Sequence, residues 1–198
     1  MTADLASFLR EWPPTSRLLV LAPGPRAEAH FQAVEFAGPK AAYFFLDSHA
    51  ERLRRVSSQL QATPLCGQAA RLPFHARSFD ALLAVEALFA VRPPWTVLAE
   101  FHRVLKPDGK LLQLEPAGEG FISMLRSRLL GPGKRVYPLE ELRERLARTG
   151  FAVDRAAAET VAGRAMNVML ARKLDGEAGP APTWTTAREL YAKQKKKA

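Results

Sequence analysis

Short, almost unbroken apolar runs alternate along this chain with longer segments whose apolar residues recur at helical spacing, and this alternation constrains the fold most. "RLLVLA" (17–22) and "AAYFFLD" (41–47) place apolar side chains at successive positions. A strand with one wet face would alternate apolar and polar residues, so these runs read as strands buried on both faces. "TPLCG" (63–67), a segment within "FDALLAVEAL" (79–88) and "KLLQLEP" (110–116) continue the series. Between them the spacing predicts a helix over 26–37, ended by Gly38-Pro39, and another over 49–60. A third begins near Pro93-Pro94, with proline in the first turn, and stops at Pro107-Asp108-Gly109. Its Val97, Leu98, Phe101, Val104 and Leu105 form one apolar stripe.

Repeated strand–helix units predict an α/β fold: a doubly wound, mostly parallel, Rossmann-like sheet with helices on both faces. Right-handed crossovers then line up the loops after the strands along one edge, where such folds bind ligands. A later helix over 139–149 carries Leu139, Leu142 and Leu146 on one face, and "GFAVDRAAAE" and "AMNVMLARK" predict two antiparallel strands at the sheet edge. With 198 residues, 47% of them hydrophobic, the chain has material for one full-sized core. The expected division is an α/β domain over 1–172, then a linker and basic tail over 173–198 with a helical stretch at 184–195.

The formal net charge of +9 favours contact with something anionic: nucleic acid, a membrane surface or an acidic protein. Lys193, Lys195, Lys196 and Lys197 of the tail are the natural contact, against the plain alternative of a solvated end. No apolar run reaches membrane-spanning length. Cys66 stands alone, so no internal disulfide forms; it reads as a small buried hydrophobe, and the expected location is the cytoplasm. "MTADLASFLREWPP" lacks the basic-then-apolar pattern of an export signal. His30, His49, His75 and His102 show no metal-ligand spacing, so no metal is expected, and His75 reads as a surface-loop residue.

Four stretches, in order, carry a resemblance. "ARLPFHARSFDALLAVEALFAV" (70–91) resembles the "LPF…SFD…L" segment of class I S-adenosylmethionine (SAM)-dependent methyltransferases, nearest to the small-molecule branch with the ubiquinone and menaquinone biosynthesis enzymes. "LAEFHRVLKPDGKLLQLEP" (98–116) is similar to that family's "E-x-x-R-V-L-K-P-G-G" helix, turn and strand. "FFLDSHAERL" (44–53) is similar to its second strand ending in an acid, and "YPLEELRERLARTGFAV" (137–153) to its late helix and strand. The resemblance covers about residues 15–172. It implies the fold above, SAM as cofactor and a small-molecule methyl acceptor.

The implied site lies at the strand ends. Asp47, with Ser48 beside it, stands where an acid would receive the ribose hydroxyls; the alternative for Asp47 is a helix N-cap. Gln68 stands where the family usually has an acid for the adenine amino group, and its amide oxygen still accepts a hydrogen bond. Ala69 would offer its backbone N–H to an adenine nitrogen, or belong to a plain loop. Ala84 and Glu86 fall at ligand-facing family positions, and Glu86 would bind the cofactor's ammonium or be solvated. The first glycine motif is degenerate. The family's acid and G-C-G-T-G become Val20, Leu21 and then Ala22, Pro23, Gly24, Pro25, Arg26. Ala22 and Gly24 remain the cofactor-loop candidates, while Pro23 and Pro25 remove two N–H donors.

No base is identifiable, and none is needed for in-line displacement at a sulfonium methyl, where orientation supplies much of the acceleration. Arg126, Arg128, Lys134 and Arg135, interspersed with Phe121, Met124, Leu125 and Leu129, form a basic, partly apolar stretch where the resemblance implies a cover over the acceptor. It would bind an acidic or amphiphilic substrate, lie on a membrane surface, or be an ordinary lid helix. The leading expectation is a SAM-dependent methyltransferase. The alternative is a methyltransferase-fold scaffold that has lost SAM binding and acts through its basic surface and tail. A dinucleotide oxidoreductase explains neither "LPF…SFD" nor "RVLKPDG".

Overall fold

Among the described residues seven strands pair in the order β3-β2-β1-β4-β5-β7-β6. They are β1 (Arg17–Leu21), β2 (Ala42–Asp47), β3 (Thr63–Cys66), β4 (Phe79–Val85), β5 (Leu105–Pro116), β6 (Phe151–Val161) and β7 (Arg164–Lys173). The computed structural model describes Phe8 and residues 12–13, 15–21, 42–54, 62–91, 94–117, 136–161 and 163–175. The loop with Ala22 and Gly24, the segments expected to be helical over 26–37 and 55–60, the basic segment 118–135 and the tail lie outside the described residues.

Strands β1 to β5 pair in parallel, and β7 and β6 close the sheet antiparallel, as the sequence predicts. Strand order reverses direction between β1 and β4, which makes the outer edge there the expected ligand crevice. Alternation along each strand divides the core in two. Leu18 and Val20 face Phe45, Leu83 and Leu112 on one side of the sheet. Leu19 and Leu21 face Leu82, Phe101 and Leu111 on the other. Both sides are dry, which is why the runs are apolar at every position.

The named helices are α1 (Ala87–Ala90), α2 (Pro94–Val104) and α3 (Leu139–Arg148). The expected stripe of α2 is its buried face: Val97, Leu98, Phe101 and Val104 all pack into the second cluster. The stop at 107–109 takes an unexpected form. Leu105 pairs with Phe79 and Lys110 with Ala81, so five steps on β5 span two on β4 and the intervening residues bulge. A Cβ on Gly109 would sit 2.8 Å from the Lys106 carbonyl oxygen, so the bulge admits only glycine there.

Cys66 corrects its expectation. It is exposed, because β3 is an edge strand with little packed against it. His75 is exposed in its loop, whereas His102 is buried against Phe151.

Candidate functional site

Chain reversal after β2 and β3 brings four of the expected residues to one cleft. Asp47 and Ser48 follow from β2, Gln68 and Ala69 from β3, and together they border a space of about 210 Å³. Leu21, Leu46, Ala69, Ala70 and Val91 supply apolar walls. Gly67 keeps the β3 end tight: its N–H donates to the Asp47 carbonyl at 3.1 Å, and a Cβ would come within 3.1 Å of Leu46. Gln68 is exposed and Ala69 buried, so an amide head and an apolar surface lie side by side.

The loop that carries Gln68 to Ala70 is held from α2, and this gives a physical account of the E-x-x-R pattern. Glu100 accepts the Leu72 N–H at 2.7 Å. Arg103 donates to the Leu72 and Phe74 carbonyls at 3.0 and 2.7 Å, and forks onto Glu100 at 2.7 Å through both Nε and Nη2. Burial works against the charged Glu100 carboxyl, but Arg103 and the Leu72 N–H hold it below its ordinary range.

Asp47 borders the cleft, yet its side chain has no exposed surface. Its carboxylate is engaged from behind. Arg52 donates Nε to Oδ2 at 2.8 Å and Nη2 to Oδ1 at 2.9 Å, and the His49 N–H donates to Oδ1 at 2.8 Å. The last is a bond to the backbone two residues on, entering the helical turn at 50–54. A cap would instead reach the second or third helical N–H. The His49 ring hangs outside, where its Nδ1 receives Arg52 Nη2 at 2.6 Å and lies 3.0 Å from Ser48 Oγ.

Ala84 and Glu86 sit elsewhere. Ala84 is fully buried, in register with Leu21 on one side and Gln113 on the other. Glu86 follows β4 in the left-handed region at φ 54°, 5% exposed, and its carboxylate accepts from Arg164 of β7. Neither borders the cleft. Ala22 and Gly24 lie outside the described residues.

A second polar group, not foreseen from the sequence, lies at the ends of β4 and β5. Glu115 is 1% exposed and accepts the Leu88 and Phe89 N–H groups at 2.8 and 3.0 Å, closing the start of α1. Gln113 Nε2 donates to it at 3.1 Å, while Gln113 Oε1 is buried without a partner. Burial pushes the Glu115 carboxyl up to about 7, and the neighbouring Glu86 charge adds to the rise. Glu115, like Gln113, interrupts the apolar run at 111–116, and that interruption was its available signal. Arg52 has no such mark, being one of several charges on a helical turn.

Among the described residues no group of three or more His, Cys, Asp or Glu side chains is placed to hold a metal, and no helix is long and apolar enough to cross a membrane. Residues 23–113 match a family model described as a methyltransferase domain. The malonyl-acyl-carrier protein O-methyltransferase of Laribacter hongkongensis is 33% identical over 106 residues, which is 51% of this chain and 35% of that protein. The chain therefore spans about a third of that curated relative's length. A SAM-dependent methyltransferase from Methanosarcina mazei superposes with TM-score 0.62 at 18% identity, over 88% of this chain and 98% of that one. The cyclase SpnF superposes with TM-score 0.65 at 19% identity, over 87% and 80%. At such identities the superpositions speak to fold, and a cyclase among them separates fold from reaction. Residues 23–113 and the curated relative thus make the chain similar in sequence to methyltransferases, and its strand order and superpositions give it the fold that SAM-dependent methyltransferases share.

Proposed function

We propose that this protein transfers a methyl group from SAM to a small-molecule acceptor, with the nucleoside of SAM held in the cleft beyond β1, β2 and β3. The observation that carries the reading is the convergence of Asp47, Ser48, Gln68 and Ala69 on one cleft beside the point where strand order reverses. Its walls fit the group. Leu21, Leu46, Ala70 and Val91 suit the faces of a planar base, and the Gln68 amide oxygen suits an exocyclic amine. Asp47 is the acceptor on the ribose side, and Ala69 presents its backbone to the base edge.

When bound, SAM supplies an electrophilic methyl on a sulfonium, which leaves the protein the work of holding and orienting two reactants. The clamp of Glu100 and Arg103 on the loop after β3 serves that end by fixing the base-binding edge against α2. The tail lysines Lys193, Lys195, Lys196 and Lys197 extend the proposal to an anionic partner, whose binding should weaken steeply with salt.

Calorimetric titration of the full-length protein with SAM and S-adenosylhomocysteine (SAH) tests the reading. Micromolar binding that Asp47→Ala weakens at least about tenfold is expected, since a lost charged hydrogen bond is worth about 1.5–3 kcal/mol. A folded sample that binds neither at millimolar concentration would refute it and favour the scaffold alternative.

A further inference from the structure

The polar wall of the cleft holds an arrangement whose consequence rests on the function proposed above. Receiving both hydroxyls of a ribose takes two acceptor positions on one carboxylate. A carboxylate offers about four, two on each oxygen. In Asp47, Oδ1 is filled by the His49 N–H at 2.8 Å and Arg52 Nη2 at 2.9 Å. Oδ2 already takes Arg52 Nε at 2.8 Å. One position remains, on Oδ2. The guanidinium contact is two-point and charge-assisted, with Arg52 14% exposed and Asp47 fully covered, so a neutral hydroxyl does not displace it on equal terms.

We propose that Arg52 is the specificity-determining residue of this wall: its fork onto Asp47 leaves room for one ribose hydroxyl, so the site reads a nucleoside through a single hydroxyl rather than through the diol. Arg52 acts through Asp47 and is a positioning residue. Two features distinguish this from a merely structural ion pair. Asp47 borders the cleft, and both of its carboxylate oxygens are engaged by the same side chain. Replacing Arg52 should therefore change which hydroxyls matter, and not only how well the protein folds.

The test titrates the full-length protein with SAH, 2′-deoxy-SAH and 3′-deoxy-SAH, using the wild type, Arg52→Met and Arg52→Lys. In the wild type one deoxy probe should bind about tenfold more weakly than SAH and the other within about twofold, tenfold being the worth of one good hydrogen bond. Arg52→Met should bind SAH about tenfold more tightly and lose about tenfold with either deoxy probe. The lysine variant, a single-point cation, should fall between them. Equal losses for the two probes in the wild type overturn the proposal, and that result stands even where Arg52→Met fails to fold. An unchanged probe pattern in either folded variant also overturns it. If wild type and variants all bind SAH with one pattern, only the role of Arg52 falls. If none binds while thermal melts show folded protein, the proposed function falls with it.

Discussion

Glu115 offers a direct check on the physics of the strand ends. Its carboxyl is held at about 7 by burial, against 4.5 for an unperturbed glutamate. A carboxyl whose affinity for the proton is higher in the folded than in the unfolded chain stabilises the fold most at low pH. That contribution is complete below 4.5 and disappears as pH climbs through about 7. Moving the group from 4.5 to about 7 corresponds to about 3 kcal/mol, at about 1.4 kcal/mol per pH unit. About 2–3 kcal/mol of this lies between pH 5 and 8.

Other groups titrate nearby, so the comparison is with Glu115→Gln. His102 is held below 6.5 by burial and by Lys173, and its contribution runs in the opposite direction, falling away as pH drops. Asp80 and Glu100 are held below the ordinary carboxylate range and act at lower pH. All three are common to both proteins. Urea unfolding at pH 5, 6, 7 and 8 should show the variant gaining on the wild type by about 2–3 kcal/mol across that range, whatever its offset at pH 5. Parallel pH curves would refute the assignment of a buried proton to Glu115.

Two further outcomes follow from particular contacts. Arg103→Ala should destabilise by about 2–3 kcal/mol, because the Leu72 and Phe74 carbonyls and the Glu100 carboxylate lose a shared donor. SAH binding should weaken in parallel, and Arg103→Lys should recover only part of either, since an ammonium cannot span three acceptors. Thermal melts and titration read both. Gly150→Ala should cost at least about 1–2 kcal/mol, the price of a positive φ (+87°) for an L-residue. The new Cβ would also stand 2.7 Å from His102 Nε2, so a wild-type-like urea midpoint would refute the packing described there.

Much of this molecule is legible one segment at a time. Side-chain alternation and helical spacing are local properties, so the unbroken apolar runs of β1 and β2 announce strands dry on both faces, and the stripe of α2 announces its buried side. The position of Asp47 at a strand end, and of Gln68 and Ala69 after the next, follow from the same local order, and the sheet brings them to one cleft. What each polar group does there depends on which others the fold delivers to it. Glu86 reads from the sequence as a contact for the cofactor's ammonium or a solvated side chain; the fold makes it a buried partner of a β7 arginine 78 residues away, because the antiparallel pair returns β7 against β5. Cys66 was read as buried, but strand order leaves β3 at the edge. Arg52 is close in sequence to Asp47, yet only the turn from strand into helix aims its guanidinium at both carboxylate oxygens. The sequence by itself determined the elements, their order and the residues at the strand ends. The tertiary structure decided the partners of each charge, because an ion pair forms with whatever group shares its space and the chain order of that group imposes no period that could be read in advance.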